Sequence, residues 1–532
     1  MNNGKNQRKR RSLPHGVIFN AYPDSIGKNL ADTVQLLKRK ELQHAFSVFY
    51  LLPTVFNSDL DRGFSIIDYN LNHNLVEQQD LQALQDMGIM LKLDLVLNHL
   101  SVSSPQFQDL LKKGQDSEYG DFFIDWNQFW QDCGTPGEEG WIIPDRKHRE
   151  KLFTRKPGMP VIAVDFADGS RHYFWNTFYH KKIGQGKEKR YLGQLDLNAR
   201  SEKVWFFYEE TLEKIKNYGA GIVRLDAFAY LHKEPDRANF FNRPGTWDYL
   251  ERIDRIANRC ELVTIPEIHA EYGSFIHREI AAKGYPFYDF FFPGLVIDAL
   301  ESASAEKLLS WADEICREGY QTVNMLGCHD GIPLLDLKGK DNRGSYRPGL
   351  LPDRQIDALV DLIVARGGRI KDIYDAEGKR ISYYQVNATF FSALGEDDRK
   401  MRLARAIQLF MPGTPQVWYL DLFAGKNDYE AADRGGTAGH KEINRTNLSI
   451  DTVENGLKRR VVLDQLEMIR LRNTSPAFSG SFEPDRSCAP QLLRLSWKNE
   501  DCQVTLSANL KSLSFIIEEI NGEAGNKIFS YS

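Results

Sequence analysis

Three carboxylates stand where buried segments end. Asp226 closes the run Ile222-Val223-Arg224-Leu225, Glu267 follows Val263-Thr264-Ile265-Pro266, and Asp330 follows the apolar stretch 322–326. His99, after Asn98, and His329, before Asp330, sit at such ends too. Paired carboxylates suit glycoside chemistry. One attacks the anomeric carbon, while the other, kept protonated, gives its proton to the leaving oxygen; a retaining enzyme holds them roughly 5–5.5 Å apart. A lone strand-end acid is ordinarily an ion-pair partner or a helix cap. Three in one ring, with two histidines beside them, are poorly explained that way.

Acids so placed need strands that converge. Strand-like runs at 17–22, 45–52 and 89–97 alternate with helical patterns at 30–40 and around Leu81, Leu84 and Met87. That rhythm predicts parallel βα units. About 120 residues then separate His99 from the next strand, far more than one connection needs. The only strong helical face there is Val204, Phe207, Tyr208, Leu212 and Ile215, so residues 100–193 read as an insertion rich in aromatics, glycine and short turns. The rhythm resumes with strands at 222–225, 261–266, 287–292, 322–326 and 416–420, and helices at 250–259 and 457–471. A second excursion fills 332–398. After 476 the apolar period becomes two, with Leu493/Leu495/Trp497 and Val504/Leu506/Ala508/Leu510, and Asn521-Gly522 reads as a turn.

The expected fold is therefore α/β: a (β/α)8 TIM barrel with a subdomain inserted after strand 3, a second insertion after strand 7 and a small C-terminal β domain. The expected division is a basic tail at 1–15, barrel at 16–99, subdomain at 100–193, barrel at 194–331, second insertion at 332–398, barrel at 399–475 and β domain at 476–532.

Bulk properties narrow the function. The chain has 532 residues, 42% apolar and 27% charged, the composition of an ordinary soluble globular protein. A net charge of -5 argues against a nucleic-acid binder; only the stretch 5–11 is strongly basic. With no 18-residue apolar run and no signal core, a cytoplasmic protein with no membrane partner is expected. Six scattered cysteines without a C-x-x-C pair fit reduced thiols and give no zinc pattern.

Four short stretches resemble the motifs of the α-amylase superfamily, glycoside hydrolase family 13: Asp94-Leu-Val-Leu-Asn98-His99, Gly221-Ile-Val-Arg224-Leu-Asp226, Pro266-Glu267-Ile-His269 and Cys328-His329-Asp330-Gly331. They occur in order, at strand ends. Further stretches resemble its sucrose phosphorylase subgroup: Arg224 to Glu234, Tyr384-Gln385-Val-Asn387, Pro412-Gly-Thr-Pro415-Gln416, Ala424-Gly425-Lys-Asn427-Asp428 and Ile443-Asn444-Arg445.

The resemblance implies residue roles. Asp226 becomes the nucleophile, Glu267 the general acid/base and Asp330 the transition-state stabiliser. Arg224 would keep Asp226 ionised, whereas Glu267 needs a raised pKa. His99 and His329 would bind glucose hydroxyls, Asp61 and Arg445 the outer end of the ring, Phe64 its face, and Gln194 a polar edge. Arg155-Lys156 and Tyr384-Gln385 would shape the acceptor site, where inorganic phosphate is the co-substrate and needs positive charge. Ser382 replaces an acid that the sucrose enzymes often carry before the Tyr-Gln pair. Relatives specific for sucrose 6-phosphate usually have His where Tyr384 stands, so unsubstituted sucrose is the first expectation. Sucrose 6-phosphate, glucosylglycerol and glucosylglycerate follow, then a hydrolase or transglucosidase. A non-catalytic barrel would have lost its acids. No metal or cofactor is expected, and a monomer or homodimer is.

Overall fold

The computed structural model describes residues 12–155, 158–183, 190–342, 344–375, 379–522 and 525–531. The basic stretch 5–11 and Lys156 lie outside the described residues.

Eight parallel strands form the central sheet: β1 Ile18–Ala21, β2 Val48–Leu51, β3 Met90–Val96, β4 Ala220–Asp226, β5 Val263–Pro266, β6 Phe287–Asp289, β7 Thr322–Met325 and β8 Thr414–Trp418. Their order is 5-4-3-2-1-8-7-6, a ring in chain order whose two ends, β5 and β6, lie side by side. The barrel is thus nearly closed. Every residue of β1, β2, β5, β6 and β7 is buried. Strands covered on both faces need unbroken apolar runs, which is why these segments were legible.

Two expectations shift. The eighth strand ends at Trp418, and Tyr419–Leu422 is already helical. The first insertion holds a nine-residue helix, Pro105–Lys113, that the aromatic pattern did not announce. Its termini were readable. Ser104 accepts a hydrogen bond from the Phe107 N–H, Pro105 occupies the first turn, and Lys112 and Lys113 close the last.

The insertions meet. The first has its own small aromatic core of Ile124, Trp126, Trp130, Leu152, Tyr173 and Trp175. Its short strand Phe153–Thr154 pairs with Arg369–Asp375 of the second, which pairs with Arg380–Asn387, which pairs with Ile332–Pro333. One antiparallel sheet built from both insertions therefore stands beside the C-terminal ends of the barrel strands. A five-stranded antiparallel sheet, Ser481–Pro484 to Gly525–Tyr531, closes the chain. It docks through Trp497, whose indole N–H donates to the Phe410 carbonyl at 2.7 Å.

Candidate active site

The stretch before Asp226 shows how the chain aims a carboxylate. Helix Glu202–Asn217 stops at Gly219, whose φ of +92° places it in the left-handed region. A Cβ there would lie 1.7 Å from Gln85 Nε2, so both backbone and space call for glycine. The chain then enters β4 between β3 and β5, with Arg224 opposite Asp94. Arg224 is buried, and its guanidinium forks across three acids. Nη1 meets Asp94 Oδ1 at 2.5 Å and Asp226 Oδ1 at 2.7 Å, while Nη2 meets Glu267 Oε1 at 2.7 Å. Tyr50 donates to the same Asp94 oxygen at 3.0 Å. Ala227 follows with φ 51°, a conformation that costs an alanine about 1–3 kcal/mol. Its N–H donates to Glu267 Oε2 at 3.1 Å. The strained turn thus ties the end of β4 to the acid after β5.

The surroundings push the two acids in opposite directions. Burial pushes the Asp226 carboxyl well above the carboxylate range, and Glu267, Asp94 and Asp330 add to the rise while Arg224 opposes it. Burial also pushes Glu267 up, but Arg224 and His269 more than offset it and bring its carboxyl below its usual value. Arg224 was expected to hold Asp226 ionised and oriented. Its second arm reaches Glu267, so it cannot favour one ionised acid without favouring the other.

Asp330 is held differently. Lys441 Nζ lies 2.5 Å from its Oδ1, and His329 Nε2 lies 3.4 Å from its Oδ2. Although burial raises it, Lys441 and Arg445 hold Asp330 well below the carboxylate range. Arg445 donates to the His329 carbonyl at 2.7 Å and stands 3.8 Å from Asp61. Arg62 donates to the Arg445 carbonyl at 2.7 Å and fastens the Asp61 loop to that segment. Phe64 stacks on His329 with ring centroids 5.0 Å apart. His99 Nε2 donates to the Phe64 carbonyl at 3.1 Å, and burial pushes its pKa down to about 4, so the ring is neutral near pH 7.

These groups line one cavity of about 810 Å³, with Asp61, Phe64, His99, Asp226, Glu267, His329 and Asp330 on its walls. No protein-family model matches the chain. It is 60% identical to the sucrose 6(F)-phosphate phosphorylase of Ilumatobacter coccineus over 96% of each chain. It is 33% identical to the sucrose phosphorylase of Streptococcus mutans, over 86% of this chain and 87% of that one. The crystal structure of a sucrose 6F-phosphate phosphorylase from Thermoanaerobacter thermosaccharolyticum superposes with a TM-score of 0.85 at 32% identity, covering 98% of each chain. The chain belongs to the sucrose phosphorylase subgroup of glycoside hydrolase family 13. It is a glycoside phosphorylase, a hexosyltransferase.

In this phosphorylase the sheet shared by the two insertions forms the other side of the cavity. Arg155, Tyr384 and Gln385 line it, and the Arg155 guanidinium lies 4.0 Å from the centre of the Tyr384 ring. Tyr384 also meets His269 edge-on at 5.2 Å. Three expected contacts, Arg445, Gln194 and Ser382, are absent from the walls, as is Arg224. Gln194 is buried behind them, accepting from the Tyr179 N–H at 3.1 Å, and so braces Tyr179 rather than facing the cavity. Ser382 pairs with Ile373 in the sheet; Ile373 lines the cavity and Ser382 does not.

Sequence reasoning missed other wall residues. Lys441, His269, Lys371 and the run Phe178-Tyr179-His180 all line the cavity. Asp94 lay inside a quoted motif without a role. Lys441 is four residues before Arg445, but a loop lysine carries no pattern of its own. His269, two residues after Glu267, was the readable one.

The superfamily's metal position near Asn98 does not fit an ion here. The Lys233 ammonium sits among Asn98 Oδ1 at 2.9 Å, Asp196 Oδ2 at 2.8 Å and the Tyr230 carbonyl at 2.6 Å. Three oxygens that would ligate a hard cation already hold one. Glu267, His269 and Asp330 bring donor atoms within 4.8 Å of one another, yet both carboxylates are ion-paired, with Arg224 and Lys441.

Proposed function

We propose that the enzyme transfers glucose from a sucrose-type donor to inorganic phosphate by double displacement through a covalent glucosyl-enzyme. An Asp226 oxygen attacks the anomeric carbon as its bond to the fructosyl oxygen breaks, and Glu267 gives that oxygen its proton. Phosphate then attacks the same carbon, the ester to Asp226 breaks, and Glu267 takes a proton from the incoming phosphate. Two inversions give net retention, so the product is α-glucose 1-phosphate.

Each role rests on an interaction described above. Asp226 and Glu267 share one guanidinium, and attack needs the form with the proton on Glu267 and the charge on Asp226. Asp330, kept ionised by Lys441, faces the positive charge that develops on the sugar. His99 and His329 are neutral rings, His329 because burial outweighs Asp330, and each leaves a buried Nδ1 with no protein partner for a sugar hydroxyl. Six free thiols fit a reducing, cytoplasmic setting.

The observation that carries the reading is the single Arg224 fork joining the acids after β4 and β5 in a chain so similar to named phosphorylases. Unsubstituted sucrose is one donor. Sucrose 6(F)-phosphate is favoured by a specific observation: the 60% relative is named for it, and Arg155, Lys340 and Lys371 add cations to the acceptor side. A phosphorolysis screen with sucrose, sucrose 6(F)-phosphate, glucosylglycerol and glucosylglycerate, reading glucose 1-phosphate, tests both. Release of free glucose alone would establish a hydrolase instead.

A further inference from the structure

Beneath the three acids that share Arg224, the barrel interior holds a lysine that the mechanism does not use. Lys92 lies on β3 two residues before Asp94, so both side chains leave the same face of the strand. Lys92 is fully buried and lies outside the cavity walls. Its Nζ donates to Gln416 Oε1 of β8 at 2.7 Å. It lies 4.1 Å from the centre of the Tyr50 ring and 4.6 Å from that of Tyr288. Both rings lead to the fork: Tyr50 donates to Asp94 at 3.0 Å, and the Arg224 guanidinium lies 5.9 Å from the Tyr288 ring centre. Among the described residues no carboxylate meets the ammonium.

A buried lysine is ordinarily a liability, because a methionine would fill the barrel without desolvating a charge. Burial, with Arg224, pushes Lys92 well down from the lysine range, and Asp94 opposes this. The groups against the nitrogen are an amide oxygen and two ring faces, all electron-rich. They suit the N–H donors of an ammonium and offer no donor to the lone pair of a neutral amine.

The acids above give the charge a use. Arg224 is the cation that meets Asp94, Asp226 and Glu267 together. His269, 3.7 Å from Glu267, is itself set against Asp336 at 3.4 Å. In the form that attacks, Glu267 holds a proton while Asp94 and Asp226 are charged. In the glucosyl-enzyme Asp226 is an ester, and Asp94 and Glu267 are charged. One negative charge is left over in both states, and a fixed cation beneath Asp94 balances it in both.

We propose that Lys92 is a positioning residue for glucosyl transfer, its ammonium supplying from inside the barrel the second positive charge that lets Asp94, Asp226 and Glu267 work with a single proton. The proposal rests on the double-displacement reading above and adds to it a group that touches no substrate.

The test compares the pH dependence of kcat/KM in the wild type and in Lys92→Met, which keeps the volume and removes the charge. The excess negative charge then favours a second proton on the acids, and attack needs Asp226 free of it. The acidic limb is therefore expected to move up by at least about one pH unit, with a loss of at least about tenfold at low pH that shrinks as pH rises. The charged and titratable groups around the ammonium are Asp94, Arg224, Tyr50 and Tyr288, and Asp330 and His269 also act on the acids. The substitution alters none of them. The melting temperature is expected to match or exceed that of the wild type. A limb that stays in place, or a loss equal at every pH, overturns the proposal, since a packing defect carries no such pH dependence. If Lys92→Met does not fold, Gln416→Glu sets a carboxylate against the ammonium and is expected to move the limb the same way; an unmoved limb overturns the proposal there too. Infrared difference spectra across pH read the carboxyl signal of the acids without turnover. Its protonated form should persist to higher pH in the variant, and identical spectra overturn the proposal. Double displacement fails separately, by wild-type turnover in Asp226→Asn, and the spectra still decide the role of the charge.

Discussion

The two halves of the cavity are built on different principles. The glucose half is made from barrel strand ends, and its charges are internally balanced: Arg224, Lys441 and Arg445 each stand against a carboxylate. The acceptor half is made from one sheet contributed by two insertions, and its cations outnumber its acids. A balanced, buried network fixes geometry for one sugar in every turnover. An unbalanced wall waits for charge carried in by the ligand, and this is where members of one subgroup can diverge without touching the chemistry.

Substitutions should separate the halves sharply. Asp226→Asn removes the attacking oxygen and is expected to lower glucosyl transfer by at least about 10⁴-fold, with the melting curve and circular dichroism of the wild type. Wild-type-like turnover in that variant would falsify the double-displacement mechanism. Lys441→Met leaves Asp330 without its nearest cation, and kcat on any donor is expected to fall by about 10²–10³-fold. An effect confined to one acceptor would instead move Lys441 into the other half.

Acceptor-side changes should be smaller and selective. Arg155→Gln is expected to weaken phosphate-bearing ligands by about 10–100-fold in kcat/KM, seen as a change of rank order across an acceptor panel. A uniform loss on every acceptor contradicts the division. Lys371 gives a pH signature. Its ammonium is charged below about pH 8 and neutral above it, so KM for fructose 6-phosphate should rise as pH passes 8. Arg155 and Lys441 keep their charges over that range, and Asp372 and Asp61 stand near the ammonium. A flat profile from pH 7 to 9.5 breaks this link. The smallest effect is assigned to Ser382→Asp. Ser382 does not line the cavity, so the acceptor preference should move by no more than about threefold.

The halves also differ in how much of them was legible. Strand ends are readable because a buried parallel strand must be an apolar run, and an acid just after one stands out; Asp226, Glu267 and Asp330 were found that way. Arg224 was placed correctly beside Asp226, but its reach to Glu267 depends on how β4 and β5 sit side by side, which spacing along the chain does not encode. The acceptor wall depends on Phe153–Thr154 joining a sheet more than 200 residues later in the chain. Long-range pairing of short strands leaves no local periodicity. Lys371 was therefore invisible, Ser382 was read as a contact when it is its strand partner Ile373 that lines the cavity, and Gln194 was read as a ligand when it braces Tyr179.

Product stereochemistry tests the central claim most directly. Proton and phosphorus NMR of the enzyme with sucrose or sucrose 6(F)-phosphate and inorganic phosphate should show α-glucose 1-phosphate as the first-formed sugar product. First-formed β-glucose 1-phosphate, or free glucose alone, would contradict an account in which Asp226 and phosphate attack the anomeric carbon in turn.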